Sequence, residues 1–212
     1  MTKSFFTANL DQVQKQFTDF LKPLGFSKSG RTYNRTTSEG LVQVINLQIC
    51  RPDPIPPQFS KDMPAPPHDR FTVNLGVWVP EVADYHGVKL NSKIIQEHDC
   101  QVRIRLGKFA QPPNDLWWKL DESWPSSAAE ALLLLKNGGL DFLERFGTRN
   151  GIICDWIGRT PDSRIVIAII EAKRGHKEIA CRLLEEQIAG TRNTSHQQYV
   201  RSLAIQLGLE LS

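Results

Sequence analysis

A chain of 212 residues, 40% hydrophobic and 23% charged, has the composition of an ordinary folded domain and is long enough to bury one substantial core. Its net charge of +3 and pI near 8.7 fall short of the basic excess by which charge alone implies nucleic acid. The longest apolar runs, Ala131–Leu135 and Ile165–Ile170, are far below the roughly 20 residues of a membrane helix, and MTKSFFTANL holds no apolar leader segment.

The first element is a helix. Leu10, Val13, Phe17, Phe20, Leu21 and Leu24 recur at three- and four-residue steps and form one apolar face. Thr7 or Asn9 is the expected cap, and Pro23 with Gly25 the stop. Strand patterns follow. GRTYNR alternates and puts Arg31, Tyr33 and Arg35 on one face. LVQVINLQIC (41–50) and FTVNLGVWV (71–79) are rich in β-branched residues, and QVRIRLG (101–107) alternates again, projecting Arg103 and Arg105 together. These segments read as a mostly antiparallel meander. Between the second and third lies a stretch, 51–70, that holds seven of the thirteen prolines. Proline lacks the ladder N–H and fixes φ, so the pattern predicts a long extended loop with polyproline-II character. A variable hairpin loop is the plainer reading of it, a partner-binding segment the sharper one.

From Pro80 to Asp99 the pattern gives a helix or an irregular crossover. DLWWKLDESW leads into a helix at SSAAEALLLLK, which Asn137-Gly138-Gly139 should break, and GLDFLERF makes a short second helix. The last third reads as helical. Thr160 as cap, Pro161 at the first position and Asp162 beside it start a helix that Lys173, Arg174 and Gly175 stop. KEIACRLLEEQIAG and SHQQYVRSLAIQLG follow at helical spacing. The expected fold class is α+β. An N-terminal helix lies on a mostly antiparallel sheet of four to five strands (1–124). A helical C-terminal region, a hairpin plus one helix (125–212), packs on it as one structural unit.

Several residue sets carry candidate chemistry. PDSRIVIAIIEAKRG (161–175) has the Asp…Glu-x-Lys form of a metal-dependent nuclease, in which Asp162 and Glu171 would hold Mg²⁺ and Lys173 would stand by the attacking water. No Gly, Asn or Pro interrupts SRIVIAII to make the turn such a site needs. A single strand would hold the two carboxylates about 30 Å apart. A single helix would hold them about 13 Å apart on opposite faces. The helix signals at both ends favour a buried helix, and a nuclease stays the alternative function.

The polar strand residues are the stronger candidate. Asn46 and Gln48 share a face with Val42 and Val44, and Asn74 shares one with Thr72 and Trp78. If those faces converge with Arg103, Arg105, Arg31, Tyr33 and Arg35, they form a groove of amides, aromatics and guanidinium forks. Such a groove fits a carboxylate, a phosphate or an acidic partner protein. A solvated sheet face with cross-strand pairs is the plainer reading. Single-stranded nucleic acid is a weaker variant, because no RNP-like or Gly-rich signature accompanies the basic residues. Of Trp117 and Trp118, one should enter the core and the other cover an edge or an interface. His68, His86, His98, His176 and His196 show no metal-ligand spacing, and no cofactor motif is present. The only cluster, His98-Asp99-Cys100, should splay its side chains and so gives no activated thiol. Cys50, Cys100, Cys154 and Cys181 lack CxxC spacing and read as free thiols in a reducing cytoplasm.

In order, FLKPLGFSKSGRTYNR, GLVQVINLQ, FTVNLGVWVP, DCQVRIRLG, DLWWKL and the tail GHKEIACRLLEE…LAIQLGLE resemble the bacterial family of domains of unknown function numbered 4304, from about Phe17 to Leu209. The resemblance implies the architecture and carries over no catalytic residue. It also implies a loose association with bacterial conflict systems, in which such proteins act as immunity proteins. The expectation is a non-enzymatic cytoplasmic binding protein, immunity-like or regulatory, that meets a protein partner through its sheet face, without cofactor and without a membrane.

Overall fold

The computed structural model describes residues 5–50, 69–85 and 94–212. Helix α1 (Phe5–Leu21) buries Leu10, Val13, Phe17 and Leu21, the apolar stripe of its 3.6-residue period. It ends in a 3-10 turn holding Pro23 and then at Gly25, whose φ of +85° suits only glycine without strain. Thr7 and Asn9 lie inside the helix and do not cap it. Asn9 is claimed by tertiary structure: its amide donates to Leu120 O at 2.7 Å.

Six strands are described, in the order β1 (Ser27–Ser29), β2 (Thr32–Thr36), β3 (Val42–Ile49), β4 (Arg70–Trp78), β5 (Val102–Arg105), with β6 (Trp118–Lys119) on β4. Every pairing is antiparallel. The register sorts the side chains into rows. One face carries Tyr33–Ile45–Leu75–Ile104, which the helices cover. The other carries Thr32–Asn46–Asn74–Arg105 and, one row along, Asn34–Val44–Gly76–Arg103. The two shortest strands have too few residues to show alternation in the sequence.

After β4 comes α2 (Pro80–Tyr85), then a 3-10 turn (Glu97–Asp99) ahead of β5. Helix α3 (Trp124–Leu134) does not break at Asn137-Gly138-Gly139. It passes through a π-turn (Leu135–Gly139) directly into α4 (Leu140–Arg145). The glycines serve close packing and not chain reversal. A Cβ on Gly138 would come within 2.8 Å of the Phe109 ring, and one on Gly139 within 2.9 Å of Leu106. Four more helices follow: α5 (Arg149–Asp155), α6 (Ser163–Lys173), α7 (Lys177–Ala189) and α8 (Thr194–Gln206). α6 starts two residues later than a Thr160 cap implied, with Asp162 at its N-cap, and Gly175 just past its end has φ +87°.

The core runs from α1 through the sheet to α8 as one apolar cluster, with Ile165–Ile170 buried throughout. Phe142, Phe146 and Trp156 meet edge to face inside it. Arg149 ties three distant segments together: its guanidinium grips Glu81 at 2.6 and 2.9 Å and donates to Glu39 O at 2.7 Å. The expected α+β class is what the structure shows. Among the described residues no helix is long and apolar enough to cross a membrane. The expected proline-rich loop falls outside the described residues up to position 68, as do His68 and His86.

Tyr33 gives this core an alkaline sensitivity. It is 1% exposed, its hydroxyl donates to Gln14 O at 2.9 Å, and burial pushes its phenol up to about 12. The fold prefers the neutral form, so the stability it contributes is whole below pH 10 and is lost as pH rises through 12. Urea unfolding between pH 8 and 12 should show a loss approaching 1.4 kcal/mol per pH unit, a component absent from Tyr33→Phe. Equal slopes for the two proteins would remove Tyr33 as its source.

Candidate functional site

The structure divides eight of the nine candidate residues between the two sheet faces. Arg31 sits at the tip of the β1–β2 hairpin, beside Gly30 at φ +57°, and so falls outside the strand alternation. Tyr33 and Arg35 share the helix-covered face. Arg35 lies over the Phe26 ring, donates through Nε to Gln43 Oε1 at 2.7 Å, and pairs with Glu144 on α4. These two are scaffold, and they do not reach the groove expected of them. The physical reason is parity: Tyr33 stands opposite Ile45 in register, so its face is the one the core claims.

The other six lie on the opposite face, but not as one group. Trp78 is packed at one end in a small apolar cluster with Val42, Val44, Ile95 and Cys100. The chain segment at 94–100 covers that end. Asn34 receives Ile95 N–H on its Oδ1 at 2.7 Å and donates to Ile95 O at 3.0 Å. Cys100 packs against Gly76, and burial pushes its thiol well up, the opposite of activation. Arg103 lies at the β5 edge, with both guanidinium arms on Glu97 at 2.7 and 3.1 Å, which hold it still more firmly charged.

The remaining four converge at the other end. Asn46 and Asn74 occupy adjacent positions of one row, with Arg105 beside Asn74 and Gln48 a row away. Asn74 Nδ2 donates to Gln48 Oε1 at 2.8 Å, and Asn46 Nδ2 to Thr32 Oγ1 at 2.9 Å. Thr32 in turn donates to Gln96 Oε1 at 2.9 Å. Arg105 is gripped by both oxygens of Asp115, at 2.8 and 2.6 Å, and its guanidinium lies 5.3 Å from the centre of the Trp117 ring. Trp118, the inner member of the pair, is 5% exposed and stacks on Phe71. Above the row opens a cleft of about 630 Å³ whose lining includes Arg31, Asn46, Gln48, Gln96 and Trp117.

Thr32, Gln96 and Trp117 complete this cleft without having been picked out as its members. Thr32 was legible as the alternate-face neighbour of Tyr33. Gln96 carries no local signal, because only the crossover's path brings it there.

The nuclease set does not assemble. Asp162 occupies the N-cap position of α6 without a side-chain cap bond and lines a separate cleft with Arg103, His196 and Tyr199. Glu171, at the other end, is 4% exposed and bonds His176 Nδ1 at 2.5 Å. Lys173 lies over the Tyr85 ring. Among the described residues no three His, Cys, Asp or Glu side chains are grouped to hold a metal ion.

A family model described as a domain of unknown function (DUF4304) matches residues 17–51 and 58–145, together more than half of the chain. The match stops at α4, so the tail motif beginning at Gly175 lies beyond it. No curated protein and no solved structure matches.

Proposed function

This chain belongs to the DUF4304 family, and we propose that it is a binding protein that engages a partner protein through the polar end of its open sheet face. The carrying observation is the row Thr32–Asn46–Asn74–Arg105, laid across four adjacent strands on the face opposite α1, α3 and α4. Outward sheet faces are commonly polar, but this one is organised. Its amides are bonded to one another, and a carboxylate and an indole fix its guanidinium before any partner arrives. Pre-set aromatic and arginine groups beside amides already held by one hydrogen bond each are the chemistry of a recognition surface, since little side-chain freedom remains to be lost on binding. An immunity-like or regulatory role in a bacterial cytoplasm fits a protein whose site, among the described residues, holds donors and acceptors and no paired carboxylates or nucleophile–base couple.

The test is site-directed photocrosslinking. A benzoylphenylalanine at Gln48 should capture a discrete partner from a lysate of the source cells, while one at Glu178 on α7 should not. Adding Asn46→Ala and Arg105→Ala to the Gln48 probe should remove that adduct. Identical adducts from both positions, or an adduct indifferent to the two alanines, would overturn the assignment.

A further inference from the structure

Deepening that reading and resting on it, we propose that the cleft takes an extended, carboxylate-bearing peptide segment of the partner and reads its main chain by hydrogen bonds. The first support is the free end of a central strand. Leu47 N donates to Arg31 O at 3.0 Å, and Cys50 N to Arg70 O at 2.8 Å. Antiparallel alternation therefore turns the N–H and C=O of Ile49 toward the Arg31 side. Strand β2 begins only at Thr32, opposite Asn46, so among the described residues no strand continues beside Ile49. Its main chain borders the cleft. An exposed strand edge is a template for one more strand.

The second support is the molecule's own use of this face. Asn34 holds Ile95 by its N–H and its C=O together, so a side-chain amide here already captures an extended stretch of main chain. One and two rows along, at Asn46 and Gln48, the same chemistry is available. Asn46 has given its N–H to Thr32, and its Oδ1 has no partner among the described residues. Gln48 has accepted from Asn74, and its Nε2 has no partner among the described residues. One free acceptor and one free donor match the two polar groups of a peptide unit.

Charge supplies the third. Among the described residues Arg31 is the one charged side chain lining the cleft, and no ion pair engages it there. Its guanidinium can take a carboxylate on two parallel N–H bonds, and the Trp117 ring forms a flat apolar wall for a neighbouring side chain. The occupant is thus an acidic strand.

Pools of labelled nonapeptides with a fixed central Asp, Leu or Lys test this by fluorescence anisotropy. The Asp pool should bind at least about tenfold tighter than the Lys pool, and Arg31→Glu should reverse that order. Asn46→Ala with Gln48→Ala should weaken the best peptide by about tenfold or more, with melting curves confirming that each variant is folded. N-methylating alternate amides of that peptide should abolish binding, because the strand then has no N–H to give. No pool binding below millimolar concentration overturns the proposal, as does an N-methylated peptide that binds equally well. Should the Gln48 photoprobe still capture its partner while peptides fail, the protein-binding surface stands and only the strand mode falls.

Discussion

Gly151→Ala is expected to prevent stable folding. In a helix interior this exchange ordinarily stabilises by up to about 1 kcal/mol, because alanine loses less backbone freedom than glycine. At this position the sign reverses. A Cβ on Gly151 would overlap the carbonyl oxygen of Arg145 outright and lie 2.9 Å from its carbon. Both groups are main chain, so no rotamer change relieves the clash. Gly151 N–H also donates to the capping Thr148 Oγ1 of α5 at 3.1 Å, and the same turn holds Arg149 on Glu81. Moving the turn therefore strains the cap and the three-segment tie together. A loss of at least about 4 kcal/mol follows, in the range of severe overpacking, and it would take most of a typical domain's stability. Gly158→Ala is the comparison. It has a φ of +74° but open space around it, so only backbone strain of about 1–2 kcal/mol applies. Thermal melts by circular dichroism separate the two. A Gly151→Ala protein melting at or above the parent would refute the steric account.

Asn34→Asp carries the second-largest expected effect, about 2–4 kcal/mol, from a substitution that leaves shape unchanged. The amide is 7% exposed and serves both polar groups of Ile95. A carboxylate can still accept from Ile95 N–H. It cannot donate to Ile95 O, so a charge and a carbonyl oxygen would face each other at about the 3.0 Å now spanned by a hydrogen bond. The segment at 94–100 should loosen first, taking with it the cover over Val44 and Trp78. Hydrogen exchange should accelerate at Ile95 and Cys100 well before the central strands β3 and β4 respond. Uniform exchange across the sheet would instead show that Asn34 acts on global stability alone.

Periodic signals were legible in the sequence where they were long. The α1 stripe, the strands at 42–49 and 70–78 and the three last helices all follow from spacing. What failed was parity and distance. The alternation of Arg31, Tyr33 and Arg35 is genuine, yet a strand of five residues does not announce which alternate set the core will take. Tyr33 looks amphipathic but stands on the core side, while Thr32 and Asn34 look incidental and point to the other face, where Gln96 and Ile95 cover them. Arg103 and Arg105 do project together, as their two-residue spacing requires. Their partners, Glu97 and Asp115, lie six and ten residues away on a turn and a loop whose paths no local pattern encodes. The glycine pair at 138–139 misled for a related reason. Glycine marks either a turn or a close approach, and only the position of Phe109 and Leu106 decides between them.

The aromatic contact among Phe142, Phe146 and Trp156 sets a lower limit on the cooperative unit. The stretch shared with the family ends at Arg145, between the first and second of those rings. A piece cut there would strip away Phe146, Trp156 and all of α6, whose run Ile165–Ile170 is buried against the remainder. Arg149 would go as well, leaving the Glu81 carboxylate, 10% exposed, without its cation. The family match and the apolar core therefore span different lengths of chain: the match ends at 145, and the core reaches Leu209.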